Sequence, residues 1–148
     1  MISRTLETLA DTEDIATKLS VLLREGDFIA LRGGLGAGKT TFSRALISAL
    51  LGEATEVPSP TYTLVQTYEG SRYPIFHFDL YRLDHEDEVH ELGWDETVEG
   101  LALVEWPDNA GRNLPRTRLD IHFDLSAQSR TLRLEPIGED WQTRLHGF

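Results

Sequence analysis

The stretch Gly33-Gly34-Leu35-Gly36-Ala37-Gly38-Lys39-Thr40-Thr41 carries the spacing G-x-x-x-x-G-K-[ST], with Gly33, Gly38, Lys39 and Thr40 at the defining positions. That combination suits a chain of phosphates. Glycines let the backbone curl until successive N–H groups converge on one anion, where side chains would block the approach. The lysine sets a positive charge beside the outer phosphates, and the threonine hydroxyl after it is a ligand for magnesium. At average glycine usage, a chance match in a chain of this length is roughly a one-in-a-few-hundred event.

Such a loop needs a strand to deliver it and a helix to receive it. Asp27-Phe28-Ile29-Ala30-Leu31-Arg32 reads as a short buried strand. Downstream, Phe42, Ala45, Leu46, Ala49 and Leu50 recur along one apolar helical face, ending near Leu51-Gly52. The unpaired N–H groups and dipole of that helix would point at the same anion.

A second set of residues supplies carboxylates. Leu101-Ala102-Leu103-Val104-Glu105-Trp106-Pro107 reads as a buried strand of the parallel-sheet kind that ends in an acid. Glu105 is placed to complete magnesium coordination opposite Thr40; Trp106 is either core or a lid. Tyr73 to Asp79 reads as the second strand of a hairpin whose first is Leu64–Tyr68, around Glu69-Gly70-Ser71-Arg72. Period two puts Phe76, Phe78 and Leu80 on one face and Ile75, His77, Asp79 and Tyr81 on the other. A carboxylate at the end of an apolar strand needs a partner. Asp79 either orders water, at the metal or attacking, or pairs with Arg82. His77 reads first as a hydrogen-bonded structural histidine.

Between helix and hairpin lies Val57-Pro58-Ser59-Pro60-Thr61-Tyr62, stiffened by two prolines. Its place suits a γ-phosphate sensor built on the Ser59 and Thr61 hydroxyls, or a rigid surface connection.

Composition bounds the rest. The 148 residues suggest one domain with one core, and no apolar run reaches the roughly 18 residues of a transmembrane helix. No signal-peptide layout opens the chain, and cysteine is absent, which fits a cytoplasmic address. Fourteen basic residues stand against 25 acidic ones, for a net charge of −11, with no basic stripe. Direct, tight nucleic-acid binding is therefore not expected, and a basic protein partner suits the surface better.

The remaining elements follow from pattern. Ser3–Leu6 suggests a first strand, and Asp11-Thr12 a helix start, with Ile15, Leu19, Leu22 and Leu23 at helical spacing and Gly26 as the stop. Asp84 to Glu99 holds eight acids in sixteen residues and reads as a solvated helix face or a docking surface. Leu119–Asp124 and Ser129–Glu135 alternate as a second hairpin, antiparallel strands added to a parallel core, and an amphipathic tail runs from Asp140 to Phe148. The expected fold is α/β: a single P-loop NTPase-like domain, its mixed sheet mainly parallel with added antiparallel strands and flanked by helices.

Taken together, Gly34 to Thr41, Ser59-Pro60-Thr61-Tyr62, His77-Phe78-Asp79-Leu80-Tyr81-Arg82 and Val104-Glu105-Trp106 resemble the TsaE (YjeE) family of small bacterial P-loop ATPases. Glu91-Leu92-Gly93, Leu114-Pro115 and Arg130 match more weakly, and Gly34 stands where the family more often has an acid. The resemblance implies ATP and Mg²⁺ as ligands, with the phosphates on Gly34, Leu35, Gly36, Ala37, Gly38, Lys39, Thr40 and Thr41. It implies Thr40 and Glu105 on the metal, Asp79 in hydrolysis, and Ser59 and Thr61 in a switch-like loop. Thr12 and Arg130 match positions that contact the nucleotide outside the loop. The implied partners are TsaD and TsaB, with tRNA met only through their complex, in the making of threonylcarbamoyladenosine. A small P-loop kinase and a nucleotide-gated adaptor with little hydrolysis are the alternatives. Base selectivity, oligomeric state and docking surface are left open.

Overall fold

In the computed structural model, which describes residues 1–34, 36–52, 56–58, 60, 63–126 and 129–148, a seven-stranded sheet runs through the protein in the order β1-β7-β6-β2-β5-β4-β3. The strands are β1 (Ile2–Leu6), β2 (Phe28–Arg32), β3 (Val65–Glu69), β4 (Pro74–Asp79), β5 (Leu101–Glu105), β6 (Arg118–Leu125) and β7 (Arg130–Ile137). The helices are α1 (Leu9–Ser20), α2 (Lys39–Leu51) and the short α3 (Glu139–Arg144). Leu35, Ser59, Thr61 and Tyr62 lie outside the described residues.

Four central strands, β6, β2, β5 and β4, are parallel, while β7, β1 and β3 pair antiparallel at the two edges. The mixed sheet is thus as expected, with one refinement. The hairpin read at the end of the sequence is antiparallel within itself, yet its first strand, β6, joins the parallel core beside β2. Alternation along β6 had suggested an added strand because only one of its faces is apolar; pairing direction is not encoded in that alternation.

Both faces of the central strands are covered, which is why β2 and β5 read as unbroken apolar runs. Ile29, Leu31, Leu101, Leu103 and Ile75 face the helical layer with Leu19, Phe42, Leu46 and Trp141. Phe28, Ala30, Ala102, Val104 and Phe78 face the other way, against Val89, Trp94 and Ala110. That second layer is built from 3₁₀ turns, Glu86–Leu92, Trp94–Glu99 and Pro107–Asn113. The acidic run is therefore two short 3₁₀ helices rather than one helix face. It is anchored by Val89 and by Trp94, whose ring meets Phe28 and Phe78 edge-on.

Helix α1 also differs from its sequence reading at both ends. It starts at Leu9, capped by Thr8, because Thr8 and Asp11 form a reciprocal capping box: the Asp11 N–H donates to Thr8 Oγ1, and the Thr8 N–H donates to Asp11 Oδ2. Asp11 is the third helical residue, not the start. It stops at Ser20, well before Gly26, which instead turns the chain into β2 and donates its N–H to the Gly100 carbonyl. Leu23 is still buried, but from the turn after the helix.

Candidate functional site

Strand β2 ends at Arg32, and α2 begins at Lys39. Gly38, at φ +107°, is the cap residue and supplies no side-chain bond to the helix, so the first-turn N–H groups are left to face an incoming anion. Gly33 shows why glycine is needed there. Its φ is +151°, and an added Cβ would stand 2.7 Å from the Phe123 carbonyl oxygen on neighbouring β6.

Two carboxylates meet this loop from adjacent strands. In the register of β4 with β5, Asp79 is the Cα partner of Glu105, and both lie at strand C-termini, where open α/β sheets bind ligands. Side-chain alternation explains their common direction. Ile75, His77 and Asp79 share the helical face with Leu101, Leu103 and Glu105, so each series is apolar in the core and acidic at its end. The Thr40 hydroxyl donates to Glu105 Oε1 at 3.2 Å. Asp79 Oδ1 accepts the N–H of Tyr81. Both acids are buried.

Lys39 is buried as well. Its ammonium donates to the Gly33 carbonyl and sits over the Trp106 ring, 3.6 Å from its centroid. Burial pulls the Lys39 amine below its usual value, against the opposing pull of Glu105 and Asp79. Trp106 does not belong to the deep core: it is half-buried, its backbone is left-handed at φ +57°, and its ring also leans on Tyr81. A bulky residue held in that conformation is a strained point of the kind found at binding sites. Position after Glu105 was legible in the sequence; the contact with Lys39 was not.

Gly36, Ala37, Gly38, Lys39, Thr40, Thr41, Asp79, Glu105, Trp106 and Arg130 line one cavity of about 220 Å³. A larger one of about 570 Å³ adjoins it, sharing Thr41 and Arg130 and continuing past Thr12 between the start of α1 and the β6–β7 turn. Of the sequence-chosen residues that the structure describes, all but Gly34 line these two joined hollows. Gly34 lines a separate hollow beneath Trp106, and Arg82 lines neither of the joined ones. Sequence reasoning missed the contact of Trp106 with Lys39, while its first reading of His77, a hydrogen-bonded structural histidine, agrees with the structure. His77 is fully buried, and its Nε2 is 2.7 Å from Glu105 Oε2. The period-two pattern did put His77 on the acid-bearing face, but only the adjacency of β4 and β5 brings it to Glu105.

The donor atoms that meet at the loop, a hydroxyl and a carboxylate oxygen with a second carboxylate nearby, are hard oxygens of the kind Mg²⁺ takes.

Comparison with known proteins agrees with this architecture. The family model described as Threonylcarbamoyl adenosine biosynthesis protein TsaE matches residues 6–132. The chain is 44% identical over 129 residues to the tRNA threonylcarbamoyladenosine biosynthesis protein TsaE of Rickettsia conorii, covering 86% of this chain and 74% of that one. It is 40% identical over 113 residues to the protein of the same name from Bacillus subtilis, covering 75% and 70%. The crystal structure of Bacillus subtilis YdiB superposes with a TM-score of 0.81 at 28% identity, covering 99% of this chain and 92% of that one. This chain belongs to the TsaE family.

Proposed function

We propose that the protein is an Mg²⁺-dependent ATPase that supports formation of threonylcarbamoyladenosine in tRNA by acting on a TsaB–TsaD complex, without transferring the group itself. The observation that carries the reading is the shared cavity of Lys39, Thr40, Asp79 and Glu105 at the strand ends. The relatives' names supply the pathway.

The triphosphate fits the smaller hollow, on the loop N–H groups and Lys39, and the nucleoside fits the larger one past Thr12 and Arg130. Thr40 and Glu105 are the side chains that would hold Mg²⁺. Bound there, the ion would neutralise charge that builds on the phosphates. Asp79 is placed to orient the attacking water, its other hydrogen bond holding the turn at Tyr81. Lys39 must leave Trp106 and the Gly33 carbonyl to reach a phosphate.

Among the residues lining the catalytic cavity, the cations are Lys39 and Arg130. Arg130 opens β7, exposed, where the two hollows join. A site with so little positive charge around the transferred phosphate is slow on its own, and hydrolysis depends on a partner. The net charge of −11 suits protein contact with tRNA held by the partners, in the cytoplasm, where no helix among the described residues is long and apolar enough to cross a membrane.

The test is ATP hydrolysis by the purified protein, alone and with TsaB–TsaD, using Lys39→Ala as the blank. Stimulation by the complex is the expected result. Tight ATP binding without stimulated turnover would leave a nucleotide-gated adaptor in place of an ATPase. A further expectation follows from the Lys39–Trp106 contact. ATP should change tryptophan emission, and Trp106→Phe should abolish the change, since Trp94 and Trp141 are buried elsewhere. A change that survives in Trp106→Phe would show that Trp94 or Trp141 reports the binding and not the Lys39–Trp106 contact.

A further inference from the structure

We propose that His77 is a positioning residue: it holds Glu105 in the orientation that takes a divalent ion, although it touches neither ion nor nucleotide itself. The inference rests on the Mg–ATP reading of this site and extends it to a side chain in the core.

The ring is completely buried, and among the described residues only one of its two nitrogens, Nε2, has a partner, Glu105 Oε2 at 2.7 Å. Nδ1 is buried without one. An ionised carboxylate can only accept, so Nε2 carries a proton and donates it, and Nδ1 is left as the unpartnered polar atom of the ring. Leaving a buried polar atom unpaired costs about 1–3 kcal/mol. Leucine or phenylalanine would fill the same space in the strand without that cost. What an apolar side chain lacks is a donor for Glu105, and that donor is all the ring offers in polar terms.

The geometry divides the carboxylate into two ends. Oε2 is tied inward by His77, and Oε1 is turned outward to the Thr40 hydroxyl. Rotation about the last bond of a glutamate is soft, so without the inner donor only the Thr40 hydroxyl is left to set the tilt of the carboxylate plane toward the loop. A competing attraction is close by, because the Lys39 ammonium feels the charge of both Glu105 and Asp79. Sheet register supports the arrangement: His77 stands two residues before Asp79 on the same face of β4, so the acid that neighbours Glu105 and the histidine that steadies it come from one strand. Side chains that orient a metal-binding carboxylate from behind commonly set metal affinity by about 10–100-fold.

The experiment is calorimetric ATP binding across a Mg²⁺ series and in EDTA. It compares the unmodified protein, His77→Leu, His77→Gln, Glu105→Gln and the His77→Leu/Glu105→Gln double variant. Glutamine can place an amide N–H near the position of Nε2. In His77→Leu the Mg²⁺ concentration that half-tightens ATP binding should rise about 10–100-fold, with affinity in EDTA near that of the unmodified protein. His77→Gln should recover most of the loss. In the Glu105→Gln background, His77→Leu should add nothing, since two residues acting through one contact are not additive. Should His77→Leu not fold, His77→Asn, whose amide is too short to reach Oε2, carries the same expectation. An unchanged Mg²⁺ requirement in His77→Leu, equal losses in His77→Gln and His77→Leu, or an undiminished effect in the Glu105→Gln background would each overturn the role. If the unmodified protein itself bound ATP with no response to Mg²⁺, the underlying reading would fail, which is a separate outcome.

Discussion

In Glu105→Gln, magnesium should lose its hold on ATP while ATP without magnesium binds at least as well as before. Glu105 is buried at the end of β5, with Oε1 on the Thr40 hydroxyl and Oε2 on His77. Glutamine keeps the volume, and its amide oxygen can still accept from His77, so the packing beneath the site survives. What disappears is one negative charge. For a metal ion that charge is attractive, and for a free triphosphate in the same hollow it is repulsive, so the two affinities shift in opposite directions. Partner-stimulated hydrolysis should fall by about 10²–10³-fold, the equivalent of the several kcal/mol that a bound ion contributes to a phosphoryl-transfer transition state. Parallel titrations of ATP in Mg²⁺ and in EDTA read the sign directly. Equal losses in both conditions would mean that Glu105 only supports the fold.

Arg144→Ala should lower stability by about 3–5 kcal/mol, as expected when one member of a buried pair is removed. Arg144, at the end of α3, clamps Asp27 at the head of β2 with two bonds of 2.6 and 2.7 Å, and both side chains are buried. The same guanidinium donates to the Leu22 carbonyl and lies 3.9 Å from the Trp141 ring centroid. Asp27, besides, accepts the Arg24 N–H. The pair thus ties the C-terminal helix to the turn that launches the strand carrying the phosphate loop. Asp27 bonds raise the Arg144 pKa further above its ordinary value, so this cation stays charged at any pH the protein survives. Removing one partner strands the other in the core, whereas Asp27→Leu combined with Arg144→Met should cost much less than the two single changes added together. Urea denaturation of the three variants checks this. Additive losses would show that the two residues act separately.

How much of this the sequence disclosed depends on the kind of information each feature carries. The loop from Gly33 to Thr41 was plain because its function demands particular residues at fixed spacing. Glu105 was plain for a similar reason: four apolar residues ending in an acid are unusual unless the acid has something to bind. Asp79 kept two readings, since nothing in one strand says which strand lies beside it. The register of β4 on β5 puts Asp79 opposite Glu105 and lining the same cavity. The partner of His77 was out of reach on the same ground. Its chemistry lies wholly in a contact across the sheet, and a histidine in a hydrophobic strand looks alike with or without it. Helix α1 shows a different limit. The sequence reading began the helix at Asp11-Thr12, and the Thr8–Asp11 capping box moves the start to Leu9 through hydrogen bonds that depend on how β1 enters the helix. The acidic stretch was misread as one helix because its charges dominate the pattern, while Gly93 at φ +83° breaks it into two 3₁₀ turns held by Val89 and Trp94.

The β2–α2 loop and the acids at the ends of β4 and β5 should together form one Mg–ATP site. Calorimetric titration of the unmodified protein with ATP, in Mg²⁺ and again in EDTA, tests it most directly. One ATP should bind per chain, more tightly with Mg²⁺, and Lys39→Ala should not bind it. Absence of ATP binding, or an affinity indifferent to both Mg²⁺ and Lys39, would contradict it.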